Sequence, residues 1–83
     1  MPYERLLSAR KKTVGSKQTL KAIERGQAKV VFVAQNADRH VIDPILQAAM
    51  AKGVEVIRVD SMQALGKACG IDVNCASAAI TEE

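Results

Sequence analysis

The segment Gly15-Ser16-Lys17-Gln18-Thr19-Leu20-Lys21 carries the densest chemistry in the chain. A glycine followed by a serine suits the start of a helix, with Ser16 as its N-cap. Such a start presents unpaired backbone N–H groups and the positive end of the helix dipole, and so attracts anions. Lys17 and Lys21 stand one turn apart and share a helical face, Gln18 lies beside them, and Arg25 extends the row. Cations for phosphate beside an amide that both donates and accepts make a surface suited to nucleic acid. An ordinary amphipathic helix with solvated lysines carries the same pattern, so the segment alone does not decide. The phosphate-cradling motif G-x-x-x-x-G-K-[ST] is absent.

The second candidate is the loop Ile71-Asp72-Val73-Asn74-Cys75-Ala76, which follows Gly70. It places apolar and small side chains where polar turn residues are usual. A loop of this kind either shelters an unstacked base or tucks beneath the domain. Catalysis finds less support. His40 sits in a turn without a carboxylate or cysteine pattern that reads as a metal site or a triad, and is expected at the surface. Cys69 is expected in the core, which leaves Cys75 as the one thiol that could react, with no base near it in sequence. Asp38, Asp43, Asp60 and Asp72 fall at helix starts or turns, where capping accounts for them. Two cysteines are too few for a four-ligand zinc site. No catalytic residue, metal, cofactor or small-molecule substrate is therefore expected. With 2% aromatic residues, the base-stacking platforms of RRM and OB-fold proteins are disfavoured.

Size limits the possibilities further. Eighty-three residues suffice for one domain, residues 1–83, and a chain so short buries little more than about 60% of its unfolded surface. Little is left for a deep, water-excluding active site. Met1 to Arg10 contains Glu4 and lacks an apolar run of signal-peptide length. No stretch approaches the ~20 apolar residues of a membrane span. A cytoplasmic, reducing setting with free thiols follows as the expectation, and one modest core gives no reason to expect more than a monomer. Charge is uneven along the chain. Residues 1–29 hold eight basic groups against two acidic ones, +6, whereas residues 30–83 hold four against seven, −3. A one-sided basic field concentrates polyanions at its surface.

These groups need a frame. Leu6, Leu7 and Ala9 give a first helix an apolar stripe, with Pro2 at its start and Arg10, Lys11 and Lys12 at its end, where cations complement the dipole. Thr13-Val14-Gly15 breaks the pattern, and any short strand near Thr13-Val14 would join the sheet. A second helix runs from Ser16 to Gly26 with Leu20 and Ile23 inward. Lys29 to Ala34 is a β-branched run that suits a strand covered on both faces. Asp43-Pro44 caps the next helix, with residues 39–42 a separate turn or an irregular first turn, since proline does not fit deep inside a helix. Gly53 stops that helix, Val54 to Val59 forms a strand, and Asp60 or Ser61 caps a helix that Gly70 closes. Ser77 to Thr81 forms the last strand. Helices between strands predict an α/β fold, a three-layer α/β/α sandwich around a small mixed sheet with some parallel pairing.

Gly15-Ser16-Lys17-Gln18-Thr19-x-Lys21, then Ala22-Ile23-x-Arg25-Gly26-x-Ala28-Lys29-x-Val31, then Leu65-Gly66-Lys67-Ala68-Cys69-Gly70-Ile71 resemble the L-seven-Ae (L7Ae) family of kink-turn-binding ribosomal proteins, and above all its short bacterial members of the YbxF type. The resemblance runs from about Tyr3 to Ile80. It implies the same sandwich and a non-catalytic protein that binds a kink-turn, a sharp RNA bend held by tandem sheared G·A pairs, in ribosomal RNA, a riboswitch or another structured RNA. By this likeness Lys17, Gln18 and Lys21 read the G·A pairs, and Gly15 with Ser16 allows close approach. The loop Ile71, Val73, Asn74, Cys75 and Ala76 covers extruded bases, which Asp38 and Ile42 also line. Lys17 and Gln18 depart from the Asn and Glu of archaeal and eukaryotic members, Asn74-Cys75 from Gly-Ala, and Met62 from a basic residue. A signalling adaptor of the same fold is the alternative.

Overall fold

The computed structural model describes residues 3–83; Pro2, expected at the first helical position, lies outside the described residues. The elements are α1 (Tyr3–Ser8), β1 (Lys11–Val14), α2 (Ser16–Glu24), β2 (Val30–Ala34), α3 (Arg39–Lys52), β3 (Glu55–Val59), α4 (Met62–Cys69) and β4 (Ser77–Glu82).

β2 follows from its residues: Val-Val-Phe-Val-Ala is buried throughout, as a β-branched run covered on both faces should be. Its side chains alternate. Val30, Phe32 and Ala34 join Leu6, Leu65, Cys75, Ala78 and Ile80 in one cluster, while Val31 and Val33 join Ile23, Ile42, Ile45 and Ala79 in another. The sheet thus separates an α1/α4 layer from an α2/α3 layer, giving the anticipated three-layer sandwich. Strand order is β1-β4-β2-β3. β2 and β3 run parallel with α3 between them, and β4 lies antiparallel between β1 and β2, so the sheet is mixed.

Four local features differ from expectation. Lys11 and Lys12 do not end α1, which stops at Ser8; they open β1. Pairing with β4, from Lys12↔Ile80 to Val14↔Ala78, overrides the helix-end signal of the three cations. α2 is capped by Gly15, not Ser16, at φ 97 and ψ 152, without a side-chain cap bond. α3 begins at Arg39, where the Asp38 carboxylate accepts from the His40 N–H at 2.8 Å, and Asp43-Pro44 lies within it. The N–H that Pro44 lacks would have met the carbonyl of exposed His40, which water can satisfy. Burial of Ile42 and Ile45 on either side holds the helix through this gap. Finally, β4 extends one residue past Thr81. Ser61, one of the two caps expected for α4, fills that role, its Oγ accepting from Ala64 N–H at 3.0 Å.

Gly66 is buried within α4, and a Cβ there would overlap the Val73 carbonyl oxygen. The missing side chain lets the loop before β4 lie directly on the helix. Alanine normally improves a helix interior by about 1 kcal/mol over glycine. Gly66→Ala should instead cost about 1–3 kcal/mol in urea denaturation, the range for overpacking, and shift the amide resonances of Val73 and Asn74. A stability gain would show that the loop is not constrained by this contact.

Candidate nucleic-acid interface

Sheet topology gathers the candidate residues. The carboxyl ends of β1, β2 and β3 and the amino end of β4 share one end of the sheet, so the segments after β1, β2 and β3 meet the loop that enters β4. Hydrogen bonds join them. Gly15 N–H donates to the Ser77 carbonyl at 3.0 Å and Ala34 N–H to Ala76 at 2.9 Å, while Cys75 N–H donates to the Met62 carbonyl at 3.0 Å. Ser77 Oγ donates to Ser16 Oγ at 3.1 Å.

Lys17, Gln18 and Lys21 are exposed on α2, whose opposite face buries Thr19, Ala22 and Ile23. Gly15 adopts positive φ, a region in which a β-carbon is disfavoured, and so turns the chain from β1 into the helix without a polar side chain over its end. Thr19 N–H is the first amide of α2 to find a backbone acceptor, the Gly15 carbonyl at 2.9 Å. The preceding amides stand open at a dipole end suited to anions. Among the described residues Lys17, Lys21 and Arg25 make no ion pair. Arg5, by contrast, holds Glu55 at 3.1 Å and Glu83 at 2.9 Å, and Arg10 and Lys11 each reach Glu82 at 3.8 Å. Acidic residues of the second half thus pair with cations at the start of the chain, while the row of Lys17, Lys21 and Arg25 on and just after α2 stays unpaired.

In the loop before β4, Val73 is 68% exposed, Asn74 is exposed, and Ile71 and Ala76 are half-buried. Asp38 is exposed at the cap of α3, with Ile42 buried one turn on. Cys75 requires correction: its side chain is 2% exposed and packs in the α1/α4 cluster. Small size and proximity to β4 turn it inward, so only its backbone could face a ligand. Both cysteines are free, and their thiols form a chain: Cys69 faces Cys75, whose Sγ donates to the Ser77 carbonyl at 2.9 Å. The bond to Cys75 and burial hold the Cys69 thiol far above its ordinary value; the same bond lowers Cys75 against the opposing effect of its burial. Such shielding leaves no accessible nucleophile at either position.

The protein matches the model of the ribosomal protein L7Ae/L30e/S12e/Gadd45 family over residues 3–83. The chain belongs to this family. It is 49% identical to an RNA-binding protein of Geobacillus sp. (strain WCH70) over 96% of this chain and 98% of that one. The family likeness to the RNA-binding protein YbxF of Geobacillus stearothermophilus is 46% over the same shares. Among solved structures, the 15.5kD RNA binding protein of Giardia lamblia superposes with a TM-score of 0.79 at 31% identity, covering 98% of this chain and 68% of that one. These family members are named for RNA binding and not for a reaction. Among the described residues no group of three or more His, Cys, Asp or Glu could hold a metal ion, and no helix is long and apolar enough to cross a membrane.

Asn36 carries no sequence signal beyond that of an ordinary turn residue. Its Oδ1 accepts from Met62 N–H at 2.8 Å and its Nδ2 donates to Gln63 Oε1 at 3.3 Å. Together with Ser61 it caps α4 and ties the β2–α3 turn to the helix that supports the loop. Asn36→Ala should cost about 1 kcal/mol, as loss of an N-cap does, and accelerate hydrogen exchange at Met62. Unchanged exchange there would mean that water replaces the side chain without penalty.

Proposed function

We propose that this protein binds structured RNA at kink-turns, with the end of the sheet described above as its contact surface. The carrying observation is the juxtaposition, at one end of the fold, of an apolar loop with a basic helix start that lacks a side-chain cap and, among the described residues, an ion pair. A regular A-form major groove is too deep and narrow for side chains to read, whereas a kink opens base edges and extrudes bases. Lys17, Gln18 and Lys21 then meet the sheared G·A pairs and the phosphates beside them. Val73 and Ile71 cover an extruded base, which Asp38 lines from the β2–α3 turn and Ile42 from the first turn of α3. The names of the family members support RNA as the partner. The resemblance of Gly15–Lys21 and Leu65–Ile71 to kink-turn binders supports the finer reading, and ribosomal RNA and riboswitches are the settings it suggests. The protein acts as a monomer in the cytoplasm on this reading, without a cofactor.

Binding to a kink-turn RNA should fall sharply when both G·A pairs are replaced by Watson–Crick pairs. Equal affinity for the two RNAs would overturn the kink-turn assignment. Lys21→Ala should lower affinity about fivefold to over a hundredfold, corresponding to about 1–3 kcal/mol for a charge-assisted contact. If the ammonium meets phosphate, the salt slope flattens by about one unit. Val73→Asp should also weaken binding while leaving the circular dichroism spectrum unaltered, since a carboxylate there meets both an extruded base and nearby phosphates. Full affinity in that variant would remove the loop from the interface.

A further inference from the structure

A cleft of about 320 Å³ opens between α3 and the edge strand β3, outside the carboxyl ends of the parallel pair β2 and β3. Open α/β sheets hold their ligands at such strand ends, and the volume is at the lower end of small-ligand sites. Val33, Ile42 and Leu46 supply apolar surface, and Arg39, Asp43 and Arg58 are the charged groups that line it. Lys17, Gln18, Lys21 and the loop 71–76 do not line the cleft; of the residues assigned to kink-turn RNA, Ile42 alone reaches it.

Arg39, Asp43 and Arg58 make no ion pair or side-chain hydrogen bond among the described residues. Two cations and a carboxylate around one cleft would ordinarily neutralise each other, yet here each is left to meet something else. The apolar surface suits the face of a planar ring, on which a guanidinium can also stack. Arginines are matched to phosphate by their fork of donors. An ionised carboxylate only accepts hydrogen bonds, so Asp43 selects a ring edge with adjacent donors. Guanine presents N1–H and an exocyclic amino group side by side. Adenine places a lone pair at N1, and uracil flanks its single N–H with carbonyls. We propose that this cleft binds a guanine nucleotide, with Asp43 on the Watson–Crick edge and Arg39 and Arg58 on the phosphate. The nucleotide is either free or an unpaired guanosine of a bound RNA, and the assignment does not depend on kink-turn recognition.

Titration of the 15N-labelled full chain with GMP and AMP tests it. GMP should produce saturable shifts of the Val33, Leu46 and Arg58 amides and bind at least about tenfold more tightly than AMP, with inosine monophosphate, which lacks the amino group, between them. Asp43→Asn should abolish the difference between GMP and AMP, and Arg58→Ala should weaken both alike. A second arm uses a kink-turn RNA with a single-stranded extension carrying G or A. An affinity gain for G that Arg58→Ala removes, without change for the unextended RNA, assigns the guanosine to bound RNA; saturation by GMP alone assigns a free nucleotide. If neither GMP nor the G extension outperforms its adenine counterpart at these amides, the proposal fails. Failure of the kink-turn reading is seen separately, in unextended RNA with and without its G·A pairs.

Discussion

β4 has a neighbour on each side, so its peptide groups from Ala78 to Ile80 face two ladders at once: β1 across Ala78–Glu82 and β2 across Ser77–Ile80. Its side chains are equally committed. Ala78 and Ile80 pack in the α1/α4 layer and Ala79 in the α2/α3 layer, all fully buried. A slip of one residue would exchange the two sets, driving Ile80 into the layer fitted to Ala79. Register at β4 therefore fixes where Ser77 stands, and Ser77 receives both the Gly15 amide and the Cys75 thiol on its carbonyl. The start of α2 and the end of the apolar loop are thus positioned by a strand whose residues Ser77–Ile80 are themselves buried.

How far this was legible in the sequence depends on how local each signal is. β2 declared itself because five buried residues in a row leave only one kind of strand. β1 did so only at Thr13-Val14, because its partner lies far along the chain (Lys12 opposite Ile80) and Arg10-Lys11-Lys12 resemble a helix end. Asp43-Pro44 masked the true start of α3, since the Asp38 cap is decisive only once Ile42 and Ile45 are known to face the sheet. At the candidate site, the shared exposed face of Lys17, Gln18 and Lys21 was readable from spacing, because exposed side chains on one helix need no tertiary information. Spacing did not separate an RNA-binding face from a solvated one. Asn36 and Cys75 could not be read in this way. The first gains its role from Met62, 26 residues away, and the second is turned inward by the strand that follows it.

Electrostatics sharpen the same division. The ion pairs of Arg5, Arg10 and Lys11 involve side chains 40–78% exposed, a setting in which a pair contributes at most about 1 kcal/mol. Their larger effect is on the field. By setting C-terminal glutamates against the N-terminal cations, the fold cancels charge at that edge of the sheet and leaves Lys17, Lys21 and Arg25 as the positive face. Of the eight basic groups in residues 1–29, Arg5, Arg10 and Lys11 are thus paired, while Lys17, Lys21 and Arg25 stand together on and just after α2, which favours encounter with a polyanion in one orientation.

The two halves of the candidate interface respond to different physics. On the proposed reading, contacts from α2 to phosphate would act through counterion release and weaken steeply with salt. The loop acts through burial: full removal of a valine side chain from water contributes about 1.5–3 kcal/mol, and Val73, largely exposed in the free protein, has most of that still to gain. Its backbone is already fixed, with Ile71 N–H on the Gly66 carbonyl, Cys75 N–H on Met62, and the Val73 carbonyl lying against Gly66. A loop held in this way loses little conformational freedom on binding, so less of the burial free energy is offset by ordering. As ionic strength rises, the lysine row yields to competing ions while the loop term persists. Discrimination for an extruded base should then depend increasingly on Ile71 and Val73, and non-specific attraction to duplex RNA, which offers the loop nothing to cover, should fade first.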